Sequence, residues 1–447
     1  MGQGSNLIET IAPASERTPA RIAELLTEAR TRTLLLVNGL SDDELRMQHD
    51  PLMSPILWDL GHIAHFEELW LLQNLDRGPI RERQGELTGT YDPFRNPRAT
   101  RDRLPLPGRL ECLKTMAAVR RRVLDRLETV QWDSDDPLLR DGFVYAMVLQ
   151  HEYQHNETIL QTLQLKKGDP YRAPRALALP AGRDPDDAMV RFPGGEVVLG
   201  TDDRRAAYDN ERPRHTVSLA PFWIDVTAVT NGAYLEFMEA GGYERREWWS
   251  DGGWAWLQEA QVDAPKYWTR EDGAWSVRTM DRVEAVDASK AVCHVCYYEA
   301  EAFARFAEKR LPTEMEWETA ASWDAERGVK LAYPWGDEPP TARDANLDQL
   351  AFGVAPAGAY PRNISPLGCH GMIGDVWEWT SSDFRPYPGY ETFPYREYSE
   401  VFFGSEYRML RGGSWATRPG AVRNTFRNWD VPIRRQIFSG FRCARDG

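Results

Sequence analysis

The chain has 447 residues, enough for two or three domains. Its formal net charge of −14 argues against nucleic acid or an anionic membrane as the main partner. Apolar residues make up 42% of the chain, enough to build real cores, yet no run approaches the roughly 18 apolar residues a membrane helix needs.

The N-terminus lacks a basic segment followed by an apolar one, so no secretory signal is expected. Cys112, Cys293, Cys296, Cys369 and Cys443 are too few and too scattered for a disulfide framework, and a cytoplasmic location is the expectation. Seventeen Trp, seventeen Tyr and sixteen Phe can line pockets or fill a large core, and composition does not choose between the two.

Taken in chain order, the first third predicts helices over 21–40, 54–75, 107–130 and 136–166, each with apolar residues at helical spacing. Four amphipathic helices in 170 residues predict a four-helix bundle over 1–170. The 76–106 connection is longer than a bundle needs, which points to function. A Pro-, Gly- and Asp-rich stretch, 171–188, reads as a linker. The remainder, 189–447, mixes short strand-like runs (190–200 and 215–226), one clear helix at 297–310 and long Trp- and Gly-rich irregular stretches, so the chain is α+β and multidomain.

The chemistry concentrates in "LQHEYQHNET", 149–158. Residues four apart on a helix differ by about 40° in azimuth, so His151 and His155 share a face and can ligate one ion. Gln154 flanks that face and is placed to touch a bound substrate, whereas Glu157 points elsewhere and reads as an outer partner. HEYQH also matches the zinc-protease pattern H-E-x-x-H. That reading needs a third ligand downstream, and no Glu or His follows Glu157 until Glu196. Glu152, the base of such a protease, is then the residue expected to matter least. The third ligand is sought upstream: His62 lies on the apolar stripe of the second helix with Trp58, Phe66 and Leu69, and His65 is the alternative. Three histidines with open positions suit iron, copper or zinc, whereas satisfied structural histidines are the bland explanation.

These residues carry a resemblance. "SPILWDLGHIAHFEELWLL" and "HEYQHNET" resemble the DinB-like bundle of the EgtB-type sulfoxide synthases of ergothioneine biosynthesis. "FPGGEVVLGTDD", "KRLPTEMEWETAA", "YPWGDE", "GMIGDVWEWTSS", "LRGGSW" and "GFRCA" resemble the formylglycine-generating-enzyme domain, a C-type-lectin-like α+β fold. The formylglycine enzymes carry a reactive cysteine pair after GGS, but 412–436 contains none, so the metal is expected from the bundle histidines. Cys293 and Cys296, a lone C-x-x-C, read as structural.

The resemblance implies an Fe(II) enzyme, held by His62, His151 and His155, that uses O2 to join hercynine and a thiol as a sulfoxide. γ-Glutamylcysteine is the favoured thiol; free cysteine, a selenium donor, or a DinB-like zinc thiol transferase or hydrolase are the rivals. It assigns Asn428, Trp429 and Asp430 of "FRNWD", with Arg434, to substrate binding. Arg98 and Arg101, in the long connection, are the expected grip on carboxylates, since guanidinium forks bind them in bidentate fashion. A tyrosine proton donor is expected within 385–400, Tyr395 first and then Tyr390; Tyr395→Phe should shift product towards the sulfinic acid.

Overall fold

The computed structural model describes residues 18–76, 89–131, 135–174, 177–183 and 188–447. The chain divides into two compact units: Met1–Tyr171 with Arg204–Ala206, and Arg172–Asp203 with Ala207–Gly447.

The first unit is a helical bundle. Helix α1 (Pro19–Val37) starts on Pro19, with the Thr18 hydroxyl accepting from the Arg21 amide, and the short α2 (Asp42–Arg46) carries a Ser41–Glu44 capping box. Helix α3 (Ile56–Glu68) runs on through a wide π turn at Leu69–Gln73 to Asp76. Helices α4 (Arg109–Leu127) and α5 (Phe143–Gln164) complete the bundle, α5 entered through Asp141 and Gly142 in the left-handed region. Leu26, Leu60, Ile63, Val123, Val144 and Leu160 are buried on the facing stripes, as the helical period predicts. Residues 77–88 of the long connection lie outside the described residues.

The bundle core also holds charge. Arg30 of α1 contacts Glu152 at 2.8 Å and Glu67 at 2.6 Å; Arg120 of α4 contacts Glu67 at 2.5 Å and Glu152 at 3.1 Å. The Thr33 hydroxyl donates to Glu152 at 2.7 Å. Glu67 is on α3 and Glu152 on α5, so each of the four long helices contributes one member to a closed ring of two cations and two anions. Burial pushes the Glu152 carboxyl up, but Arg30 and Arg120 outweigh it and hold it below its ordinary value. The expectation that Glu152 matters least is corrected. One residue past His151, about 100° round the helix, it faces the bundle interior and is 2% exposed.

The second unit is α+β and loop-rich. Strands β1 (Met189–Phe192) and β4 (Phe222–Asp225) pair with the C-terminal β14 (Ala444–Asp446); β2 (Gly195–Leu199) pairs with β3 (His215–Leu219). The 190–200 run is therefore two strands in different sheets, broken at Pro193 and Gly194. Strands β5 (Trp268–Glu271), β6 (Ala274–Thr279) and β7 (Arg282–Ala285) form a meander, and β8 (Trp323–Asp324) and β9 (Val329–Lys330) a short ribbon.

The largest sheet has the order β12 (Asn428–Asp430), β11 (Gly404–Arg411), β10 (Trp377–Phe384), β13 (Ser439–Gly440), with β13 parallel to β10. Phe192, Val197, Phe222, Ile224, Trp317 and Met372 share one core. Helix α8 (Tyr297–Phe306) stops four residues before the sequence reading places its end. Three further helices, α6 (Asn231–Glu239), α7 (Asp251–Ala260) and α9 (Glu314–Ser322), are not in that reading. Their N-caps, Thr230, Ser250 and Thr313, were the available signal.

The described part of 172–188 belongs to the second unit: the Leu177 amide donates to the Leu350 carbonyl at 2.7 Å and the Arg183 amide to the Ala357 carbonyl at 2.9 Å. A Cβ on Gly358 would stand 1.9 Å from the Arg183 carbonyl oxygen, so this approach requires glycine.

Candidate metal centre

Helices α3 and α5 bring His62, His151 and His155 together, with one ligand atom from each lying within 4.8 Å of the others. The Nε2 atoms of His62 and His151 are 3.1 Å apart. His65, one turn on from His62, stays outside this group and lies over Tyr91 instead. Packing against α5 thus selects the earlier of the two histidines.

Each ring is held differently. His62 Nδ1 lies 3.0 Å from the Tyr91 carbonyl oxygen, which can only accept; Nδ1 therefore carries the proton, and Nε2 is left with its lone pair towards the cluster. Trp58 stacks on the His62 ring, centroids 4.6 Å apart. His151 lies face to face with Phe66 at 3.7 Å. His155 Nδ1 lies 3.2 Å from Asp59 Oδ1.

Burial lowers the His62 and His151 pKa well below the ordinary imidazole value, and the neighbouring histidines lower them further. Both rings are therefore neutral at pH 7, the form that ligates metals. Two neutral imidazole nitrogens 3.1 Å apart, with a His155 nitrogen within 4.8 Å, form a half-buried donor set that can converge on one divalent cation.

The remainder of the long connection lines this region. The Trp58 indole donates to the Thr90 carbonyl at 3.0 Å. Gly61 lies against Tyr91, where a Cβ would stand 2.1 Å from the phenol oxygen. Arg98 and Arg101 stand on a 3₁₀ turn, Arg98–Arg103, with different surroundings. Arg98 is exposed. Arg101 is 5% exposed, donates to Ser54 Oγ at 2.6 Å and the Asn96 carbonyl at 2.9 Å, and lies 3.5 Å over the Trp58 ring. Burial pushes Arg101 down to about 10, against the opposing pull of Asp59. Gln154 is half-buried beside His151 and His155, and Glu157 is buried farther along α5.

In the second unit Asn428, Trp429 and Asp430 form β12, with Trp429 opposite Met409 of β11. Trp429 stacks on Phe384 at 4.1 Å and meets Tyr398 edge-on. Asp430 lies 3.7 Å from the nearly buried Arg434 guanidinium, so these two share one electrostatic environment. Tyr390 donates to Asp209 Oδ2 at 2.8 Å, and Ser399 donates to the same carboxylate at 2.5 Å, pinning the tyrosine-bearing loop. Tyr395 is half-buried and edge-on to Tyr398; burial pushes its phenol well up, so it holds its proton at neutral pH.

Sequence reasoning missed Asp59, Gly61 and Tyr91. Asp59 had a signal: it is the one acid in the run ILWDLGHIA, three residues before His62. Tyr91 had none, because a carbonyl contact across 29 residues leaves no local pattern.

Residues 25–159 match the DinB superfamily, and residues 174–447 match the sulfatase-modifying factor enzyme 1-like domain. The hercynine oxygenase of Mycolicibacterium thermoresistibile is 47% identical over 436 residues, spanning 96% of this chain and 95% of that protein. That of Mycobacterium tuberculosis is 46% identical over 431 residues, spanning 96% and 99%. A formylglycine-generating enzyme of Streptomyces coelicolor is 34% identical over 295 residues, 58% of this chain and 89% of that one. A DinB-like helical unit followed by a sulfatase-modifying-factor-like α+β unit, matched along nearly the whole length, places this chain in the EgtB-type hercynine oxygenase family.

Proposed function

We propose that the protein is an iron(II)- and O2-dependent sulfoxide synthase acting on hercynine and a thiol, with γ-glutamylcysteine the favoured thiol. The observation that carries this reading is the convergence of His62, His151 and His155 in a chain whose full-length relatives are named hercynine oxygenases. The overall reaction balances: a ring C–H, a thiol S–H and O2 give a C–S(=O) sulfoxide and one water. The substrates lose four electrons and dioxygen gains four. Ferrous iron, when bound by the three histidines, would supply the redox centre and open positions for small ligands.

The chain's own residues have the remaining roles. His62 and His151 present neutral nitrogens, His155 completes the ligand set, and Tyr91 fixes the His62 tautomer. Gln154 orients the substrate imidazole. Arg98, exposed, and Arg101 attract the carboxylates of the thiol substrate. Asn428, Trp429, Asp430 and Arg434 bind substrate, with Trp429 offering an aromatic face to a trimethylammonium that cannot donate hydrogen bonds. Tyr395, protonated at neutral pH, donates a proton during O2 reduction, with Tyr390 second in line.

The test is anaerobic reconstitution with Fe(II), then addition of hercynine and each candidate thiol with O2, following uptake and product mass. One O2 consumed per sulfoxide is expected, with γ-glutamylcysteine the most efficient thiol. Absence of uptake with every thiol, or equal turnover with Zn(II), overturns the reading.

A further inference from the structure

The three clustered histidines are supported unequally. His62 is held by a neutral carbonyl and His151 by an apolar ring. His155 is held by a carboxylate, Asp59 Oδ1, at 3.2 Å. Asp59 is 1% exposed, on α3, one helical turn before His62. It therefore reaches from the helix that carries one histidine to the helix that carries the other two. Its second oxygen, Oδ2, is buried with no hydrogen-bond partner among the described residues. A buried carboxylate oxygen left unpaired costs stability, so a carboxylate in this place is not explained by the packing of the metal-free bundle. Arg101 supplies the opposing charge, but it lies on the Trp58 ring and bonds Ser54 and Asn96.

We propose that Asp59 is a positioning residue for the trihistidine centre. Its carboxylate holds the proton on His155 Nδ1, turns Nε2 towards the metal, and places one negative charge directly behind a ligand set that has none of its own. The principle is general: a ligating imidazole that donates its other N–H to a carboxylate is oriented and made more basic, and loss of such a partner typically weakens metal binding about 10–100-fold. The inference rests on reading the three histidines as a metal centre.

The test is Co(II) titration of the full-length metal-free protein, read by its visible d–d bands, repeated with Fe(II) under anaerobic conditions. Asp59→Asn keeps the shape and an acceptor for Nδ1–H but removes the charge; Asp59→Leu removes both; Asp59→Glu keeps the charge. Co(II) affinity should fall about 10–100-fold in Asp59→Asn, fall further in Asp59→Leu, and be partly restored in Asp59→Glu, with shifted d–d bands in the first two. The metal-free melting temperature of Asp59→Asn should not fall, because the buried unpaired oxygen loses its charge; a purely structural Asp59 would instead lower it. Wild-type affinity and an unaltered spectrum in Asp59→Asn overturn the inference while leaving the metal centre intact. Failure of the wild-type protein to bind either ion overturns both.

Discussion

The two units bury charge in opposite ways. The bundle closes one ring, Arg30–Glu67–Arg120–Glu152, with a member from each long helix. The α+β unit spreads its buried pairs over several places: Arg442 forks onto Glu378, Arg418 meets Asp348, and Arg427, Arg411 and Lys330 share Glu314 and Glu318 of α9 in an open chain, each contact stitching a loop or short strand to a neighbour. A bundle needs only its helix registers fixed, and one central ring does that. A unit of short strands and long loops lacks that periodicity, so its backbone is fixed piece by piece through planar guanidinium forks. The clustered histidines stand on α3 and α5, two of the four helices that the ring ties together.

The largest expected effect removes the imidazoles and spares the ring. His151→Ala should abolish stoichiometric Fe(II) binding and reduce turnover by at least about a thousandfold, as loss of an essential group does, while circular dichroism keeps the helical signal. Breaking the ring should do the reverse. Glu152→Ala leaves two buried guanidinium groups short of an anion and should cost about 3–5 kcal/mol, read by urea unfolding, whereas Arg418→Ala in the second unit should leave the bundle's transition unmoved. If both variants unfold the bundle equally, the contrast between ring and scattered pairs is wrong.

Gly61→Ala is a finer cut. The new methyl meets the buried Tyr91 ring, and overpacking of this kind costs about 1–3 kcal/mol. It should weaken Co(II) binding as well, since Tyr91 orients His62.

Acid sharpens the comparison further. His49, His62, His65 and His151 in the bundle and His294 and His370 in the second unit all have lowered pKa values, burial the leading cause, with His294 at about 3. Below about pH 6.5 the unfolded chain takes up protons that these folded sites refuse. Stability therefore falls as pH drops, by up to about 1.4 kcal/mol per pH unit for each histidine. Calorimetry between pH 7.5 and 5.5 should show the bundle losing stability more steeply than the second unit. The smallest effect is on the connection: Arg98→Ala should change stability by less than about 0.5 kcal/mol, whereas Arg101→Ala, which empties a buried stack, should lower the melting temperature measurably.

Legibility followed periodicity. The long helices were readable because apolar stripes repeat every 3.6 residues over 13 to 22 residues, and the shared face of His151 and His155 follows from the same repeat. In the second unit the helices of nine or ten residues and the strands of two to eight carry little period of their own, and of these helices α8 was read while α6, α7 and α9 went unseen. There the motifs spoke only through their likeness to a known family. Glu152 was misjudged for a related reason: its helical azimuth shows that it points away from His151, but not that Arg30 and Arg120 wait there.

By itself, then, the sequence determined a helical segment bearing two histidines on one face, a following α+β region, and the family to which both belong, because local spacing and composition suffice for these. The choice of His62 over His65, the Asp59 carboxylate behind His155, the Tyr91 carbonyl on His62 and the four-helix charge ring were decided only in the tertiary structure. Each is a contact between residues 29 to 122 positions apart, or depends on one, and it is set by how helices rotate and pack against one another, which no local pattern encodes.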